Sequence, residues 1–126
     1  MSGLSRLWLR ARTNAARTDG VEPYPDLLPL ELDLPPNAAF VAALSAARAM
    51  PLWRIVSDDA GAGRIAAEAT TPRMRFVDDI EILVEPAEAG SRVRVRSTSR
   101  VGITDFGTNA RRVRAFLSRL ASNAPV

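Results

Sequence analysis

The stretch MRFVDDIEILVEPAEAGSRVRVRSTSR, residues 74–100, decides the fold. In its first half Met74, Phe76, Ile80, Ile82 and Val84 fall on alternate positions, with Asp78 the polar exception. Arg75, Val77, Asp79, Glu81, Leu83 and Glu85 take the other side. In its second half Val93, Val95, Ser97 and Ser99 share one face, and Arg92, Arg94, Arg96, Thr98 and Arg100 the other. Period-two alternation is the pattern of a half-buried strand. Two strands are therefore expected, Met74–Glu85 and Ser91–Arg100, joined by Pro86-Ala87-Glu88-Ala89-Gly90. Matching apolar face to apolar face sets Val84 opposite Val93, Ile82 opposite Val95, Ile80 opposite Ser97 and Asp78 opposite Ser99. On the outer face Glu85 meets Arg92 and Glu81 meets Arg96. A slip of one residue would turn every side chain to the wrong face, so the register is well constrained.

Outward from the hairpin, Arg64–Thr70 alternates with Ile65, Ala67 and Ala69 on one face. The glycine-bearing turn DDAGAG connects it back to a strand over Leu52–Asp58. Before these, Leu30-Glu31-Leu32-Asp33-Leu34 reads as a short strand stopped by Pro35-Pro36. Asn37 is expected to cap a helix through Met50, with Phe40, Val41, Leu44 and Ala47 as its buried stripe. Val113, Phe116, Leu117 and Leu120 mark a second amphipathic helix over about Asn109–Ser122, which Asn109 would cap. The order β-α-β-β-β-β-α predicts an α+β domain: an antiparallel sheet of four to five strands with two helices on one face. That order resembles the Bet v 1-like helix-grip folds. Residues 30–126 are read as this single domain, 19–29 as a proline-rich connector, and 1–18 as a basic amphipathic tail with Leu4, Leu7, Trp8 and Ala11 at helical spacing.

The 126 residues hold 17 cationic side chains, all arginine, and no Lys, His, Cys or Gln. Without His or Cys the chain cannot build a Ser-His-Asp triad, a Cys-His pair, a Cys/His zinc site or a redox thiol. No run of about 18 apolar residues spans a membrane, and no apolar segment follows the basic start as in a signal peptide. The absence of Cys suits the cytoplasm. The net charge is +3, and the high pI of 10.8 reflects a small arginine excess with nothing else to titrate. Residues 1–18 carry four arginines and no acid; residues 19–90 carry five against 13 acids; residues 91–126 carry eight against one. The acidic and basic blocks meet in the hairpin, so the surplus belongs to the tail.

Asp78 is the unusual side chain. A carboxylate on an apolar strand face is costly unless paired or hydrogen-bonded. Ser97 and Ser99 are its expected neighbours across the hairpin, and Arg100, Arg112 or Arg75 its expected counter-charge. Gly102 and Gly107 flank Asp105 in the loop that leads to Asn109 and Arg112. The candidate polar or ligand-binding cluster is thus Asp78, Ser97, Ser99, Arg100, Asp105, Asn109 and Arg112, either a pocket floor or a structural polar cluster. Asp78, Asp79 and Asp105 could in principle hold a hard cation. Adjacent strand residues point to opposite faces, however, so neither a metal nor a cofactor is expected.

Phe76-x-Asp78-Asp79, followed by Arg96-Ser97-x-Ser99-Arg100-x-Gly102-x-x-Asp105-x-Gly107-x-Asn109-x-x-Arg112, resembles a bacterial family of domains of unknown function, number fourteen ninety-nine. Tyr24-Pro25-Asp26 with Pro29-Leu30 is similar to its opening segment, so the resemblance spans roughly residues 24–122. It implies a small bacterial domain, attached in some relatives to membrane segments, and implies no activity. From the residues, the leading expectation is a non-enzymatic binding or interaction module, cytoplasmic, with residues 1–18 as a route to an anionic membrane surface. Two alternatives stay open. One is nucleic-acid or other anionic-ligand binding through Arg94, Arg96, Arg100 and the last helix. The other is a carboxylate-dependent hydrolase using Asp78, Asp105, Arg100 and Arg112.

Overall fold

The computed structural model describes residues 15–20, 24–100 and 107–123. Eight elements run β1 (Ala15–Arg17), β2 (Leu30–Leu32), α1 (Pro36–Ala49), β3 (Trp53–Asp59), β4 (Arg64–Thr70), β5 (Val77–Ala87), β6 (Gly90–Ser99) and α2 (Thr108–Asn123). The strands form one antiparallel six-stranded sheet in the order β1-β6-β5-β4-β3, with β2 also pairing β6. The hairpin register is the one that alternation requires: Val84 faces Val93, Ile82 faces Val95, Ile80 faces Ser97 and Asp78 faces Ser99.

One sheet face carries the core. Ile65, Ile80, Ile82, Val93 and Val95 are buried beneath Phe40 and Ala43 of α1 and Val113, Phe116 and Leu120 of α2. Small side chains on α1 and β4 let the helices approach closely, and burying the large ones supplies the main stabilisation. Trp53 of β3 stacks on Phe116 with ring centroids 5.5 Å apart. Arg119 of α2 donates to the Ala49 carbonyl at the end of α1, tying the two helices together.

Several local expectations are corrected. The fifth strand starts at Val77, not Met74, and Met74 and Phe76 are exposed. Arg75 has φ +58°, which breaks the alternation before β5 begins. In α1 the buried stripe is Ala39, Phe40, Ala43, Ala46 and Ala47, and Val41 is exposed. The helix is entered through Pro35 with Pro36 in its first turn, where a missing N–H costs nothing, and Asn37 caps only Ala38. Asn109 lies inside α2, which starts at Thr108, and its side chain turns into the core.

The sheet also takes in the end of the segment read as a tail. Ala15, Ala16 and Arg17 pair with Thr98, Ser97 and Arg96. Thr18 continues the ladder: its N–H donates to the Val95 carbonyl, and its hydroxyl accepts the Val95 N–H, both at 3.0 Å. Three residues with no alternation of their own are held there by the free edge of β6. Residues 1–14 lie outside the described residues.

Candidate functional site

Five of the seven expected side chains meet beneath the sheet, where β5 and β6 face the first turn of α2. Asp78 is placed on the core face by the parity of β5, and Ser97 and Ser99 by that of β6. Asn109 and Arg112, three residues apart, project from one side of α2. Arg112 Nη1 lies 2.8 Å from Asp78 Oδ2, with the two side chains 10% and 4% exposed. The same nitrogen donates to Asn109 Oδ1 at 2.9 Å and Ser97 Oγ at 3.2 Å. Ser97 Oγ donates to Asn109 Oδ1 at 2.5 Å, and Asn109 Nδ2 donates to Ser99 Oγ at 2.9 Å. The carboxylate that alternation singled out thus has its cation, and the surrounding polar atoms satisfy one another.

Arg100 does not join this cluster. As an even-numbered position of the β6 register it falls on the helix-free face, where it donates to both Asp79 oxygens, at 2.9 and 2.6 Å, and to Glu68 at 2.5 Å. Arg54 pairs with Glu68 from the other side. The Arg100 guanidinium holds Glu68 below its ordinary value, helped by Arg54, and holds Asp79 down likewise. The same two carboxylates push Arg100 upward. Asp78 and Asp79 therefore face opposite sides, and among the described residues no three acidic side chains converge on a cation position. Asp105 lies outside the described residues.

The outer face has its own order. Arg94 Nε lies 2.6 Å from Glu85 Oε1, diagonal to it in the ladder. Arg92 turns to Glu31 of β2 at 2.8 Å, leaving Glu85 at 3.9 Å. Glu31 holds the Arg92 guanidinium above its ordinary value. The expected Glu81–Arg96 contact is not made, although their Cα atoms are partners. Arg114 of α2 pairs with Asp26 at 2.8 Å and lies over the Tyr24 ring.

Between the paired ends of this face lies a groove of about 520 Å³. Ala66 and Leu83 line it, with Arg64, Glu81, Arg94 and Arg96 standing around them and Arg17 at the β1 side. Arg17 pairs with Asp19 at 3.0 Å. Arg64, Arg96 and Glu81 make no ion pair among the described residues. The sequence signal for this groove was the outer parity of β4, with a small Ala66 between Arg64 and Glu68, but the neighbouring β1 carries no readable pattern.

Residues 9–120 match the family described as "Protein of unknown function (DUF1499)". The chain belongs to this family. The match takes in both the Asp78–Arg112 cluster and the groove, so both sit within the DUF1499 domain. No curated protein matches the chain by sequence. Among solved structures, protein CV1439 from Chromobacterium violaceum is similar to this DUF1499 chain with a TM-score of 0.50 and 15% identity, covering 90% of this chain and 99% of that one. TTHA0849 from Thermus thermophilus is similar at a TM-score of 0.43 and 11% identity, covering 88% and 99%. The first likeness bears on fold alone.

Proposed function

We propose that this DUF1499 domain is a non-catalytic binding module whose ligand site is the groove on the helix-free face. One observation carries the reading: Arg64 and Arg96 stand beside an apolar floor with no ion pair among the described residues, while the Asp78 cluster is buried and internally paired. Four arginines, Arg17, Arg64, Arg94 and Arg96, line the groove against three acids, Asp19, Asp59 and Glu81, a balance that suits a small anion with an apolar body, a carboxylate or phosphate monoester seated on Leu83 and Ala66. The enclosure of Asp78, Ser97 and Asn109 favours a structural role for that cluster over acid–base chemistry. Pairing of Arg92, Arg94, Arg100 and Arg114 with acids weakens the nucleic-acid reading, which needs a stripe of free cations.

Titration of isotope-labelled protein with phenyl phosphate tests the reading. Saturable amide shifts at Ala66, Leu83 and Arg96 that vanish in Arg64→Gln/Arg96→Gln are expected. Shifts centred on Asn109 and Arg112 instead, or none that saturate, would refute it.

A second reading is attachment of the domain to an anionic membrane surface. No described helix is long and apolar enough to cross a membrane. Pairing of Ala15–Arg17 with β6 favours surface attachment, because the strand that continues the basic N-terminal segment is hydrogen-bonded to a fixed sheet edge.

A further inference from the structure

The β4–β5 connection, residues 71–76, reads Thr-Pro-Arg-Met-Arg-Phe. It is not a slack loop. The Thr71 N–H donates to the Phe76 carbonyl at 2.8 Å, and the Phe76 N–H returns to Thr71 Oγ1 at 2.9 Å. The Arg75 N–H closes the turn on the Thr71 carbonyl at 3.1 Å. Held this way, Met74 is 67% exposed and Phe76 40%. Leu52, 51% exposed, is at the same end of the sheet, since its carbonyl accepts the Thr70 N–H at 3.0 Å. Leu52 and Arg75 both hold left-handed backbone angles, φ +65° and +58°, a conformation that non-glycine residues rarely adopt. Arg73 and Arg75 are exposed, alternate with the apolar side chains and make no ion pair among the described residues. The acids nearest in sequence on the adjoining strands, Glu68, Asp78 and Asp79, are engaged by Arg54, Arg112 and Arg100.

We propose that this tip docks on an anionic lipid surface, with Met74, Phe76 and Leu52 entering the interface and Arg73 and Arg75 bonding to lipid phosphates. The inference deepens the membrane-surface reading above and is independent of the groove. Large apolar side chains interleaved with arginines match a boundary whose acyl side is apolar and whose headgroups are negative. Arginine suits this position because its stem packs on apolar surface while its fork reaches phosphate oxygens. A second copy of the chain is a poorer occupant. Two such tips would bring four arginines together, and the neighbouring edge strand β3 is interrupted by a bulge between Ile55 and Ser57 that hinders strand addition.

The experiment is co-sedimentation of the full chain with vesicles of phosphatidylglycerol and phosphatidylcholine, against vesicles of phosphatidylcholine alone. Three variants are compared: Met74→Ser/Phe76→Ser, Arg73→Gln/Arg75→Gln, and Arg6→Gln/Arg10→Gln/Arg12→Gln in the N-terminal segment. The tip substitutions are at exposed positions, and circular dichroism checks that each variant keeps its fold. The wild-type chain is expected to prefer the anionic vesicles, and each tip pair to weaken that binding about tenfold. In a Trp8→Phe background, a blue shift on anionic vesicles that appears only when Phe76→Trp is added would place the tip in the interface. Failure of the wild-type chain to bind anionic vesicles overturns both this proposal and the membrane-surface reading. Binding that depends on the N-terminal arginines but is unchanged in both tip pairs overturns the tip alone. A concentration-dependent dimer that the tip pairs abolish, without vesicle binding, assigns the patch to self-association and also overturns it.

Discussion

Replacing Arg112 by Met removes the one cation that, among the described residues, pairs with a carboxylate that is 4% exposed. Breaking a buried ion pair from one side costs about 3–5 kcal/mol, because the remaining charge is left without compensation. Arg112 keeps a tenth of its side chain exposed, so water can partly relieve Asp78, and the low end of that range, about 3 kcal/mol, is expected. Asp78→Leu should cost somewhat less, about 2 kcal/mol, since Arg112 retains the Asn109 and Ser97 acceptors. Joining the two, Asp78→Leu/Arg112→Met removes both charges and should return to within about 1 kcal/mol of the parent. The coupling energy from this cycle is therefore large and favourable. Urea unfolding followed by Trp53 fluorescence reads it: with a slope of about 1.5 kcal/mol/M, Arg112→Met lowers the midpoint by about 2 M. Single costs below about 1 kcal/mol, or single costs that simply add in the double variant, would refute a structural role for the cluster.

Two further outcomes follow from the geometry. At Gly63, with φ +69°, an added Cβ would lie 2.2 Å from the Val84 carbonyl oxygen, so Gly63→Ala should cost at least about 2 kcal/mol in urea unfolding; Gly61→Ala, whose Cβ meets only Asp59 Oδ1 at 3.5 Å, should stay within about 0.5 kcal/mol. Glu68 and Asp79 are held below their ordinary 4.5 and 3.8, so the stability they contribute is full above those values and is lost as pH falls through the depressed ones. The drop in urea midpoint between pH 6 and pH 2.5 should thus be smaller in Arg100→Gln than in the parent, and an equal drop would contradict the pairing.

The hairpin register and most of the buried cluster were legible in the sequence because both follow from strand parity. One polar residue on an apolar face, Asp78, points to its neighbours Ser97 and Ser99, and the helical spacing of Asn109 and Arg112 supplies the rest. Where parity is set aside or broken, the reading fails. Arg100 continues the chemical theme of the cluster, but its even position already assigns it to the other face. Met74 and Phe76 continue the alternation of β5 in letters, yet Arg75 adopts a left-handed turn that no pattern announces. Glu81 and Arg96 are opposed in the ladder and still do not bond, because an ion pair on a solvated face gains too little to hold two flexible side chains together. β1 was invisible for a different reason. Ala-Ala-Arg has no signature, and its strand conformation is imposed by the open edge of β6.

That edge also bears on the order in which the sheet assembles. The meander β3-β4-β5-β6 closes through short turns, whereas Val95 meets Thr18 across a separation of 77 residues. Closing so long a loop is entropically expensive until the meander offers a template. β1 is then the last strand to zip on and the first to peel away. Its amides should exchange with solvent well before that of Ile80, so the seam of the molecule runs between its earliest and latest strands in sequence.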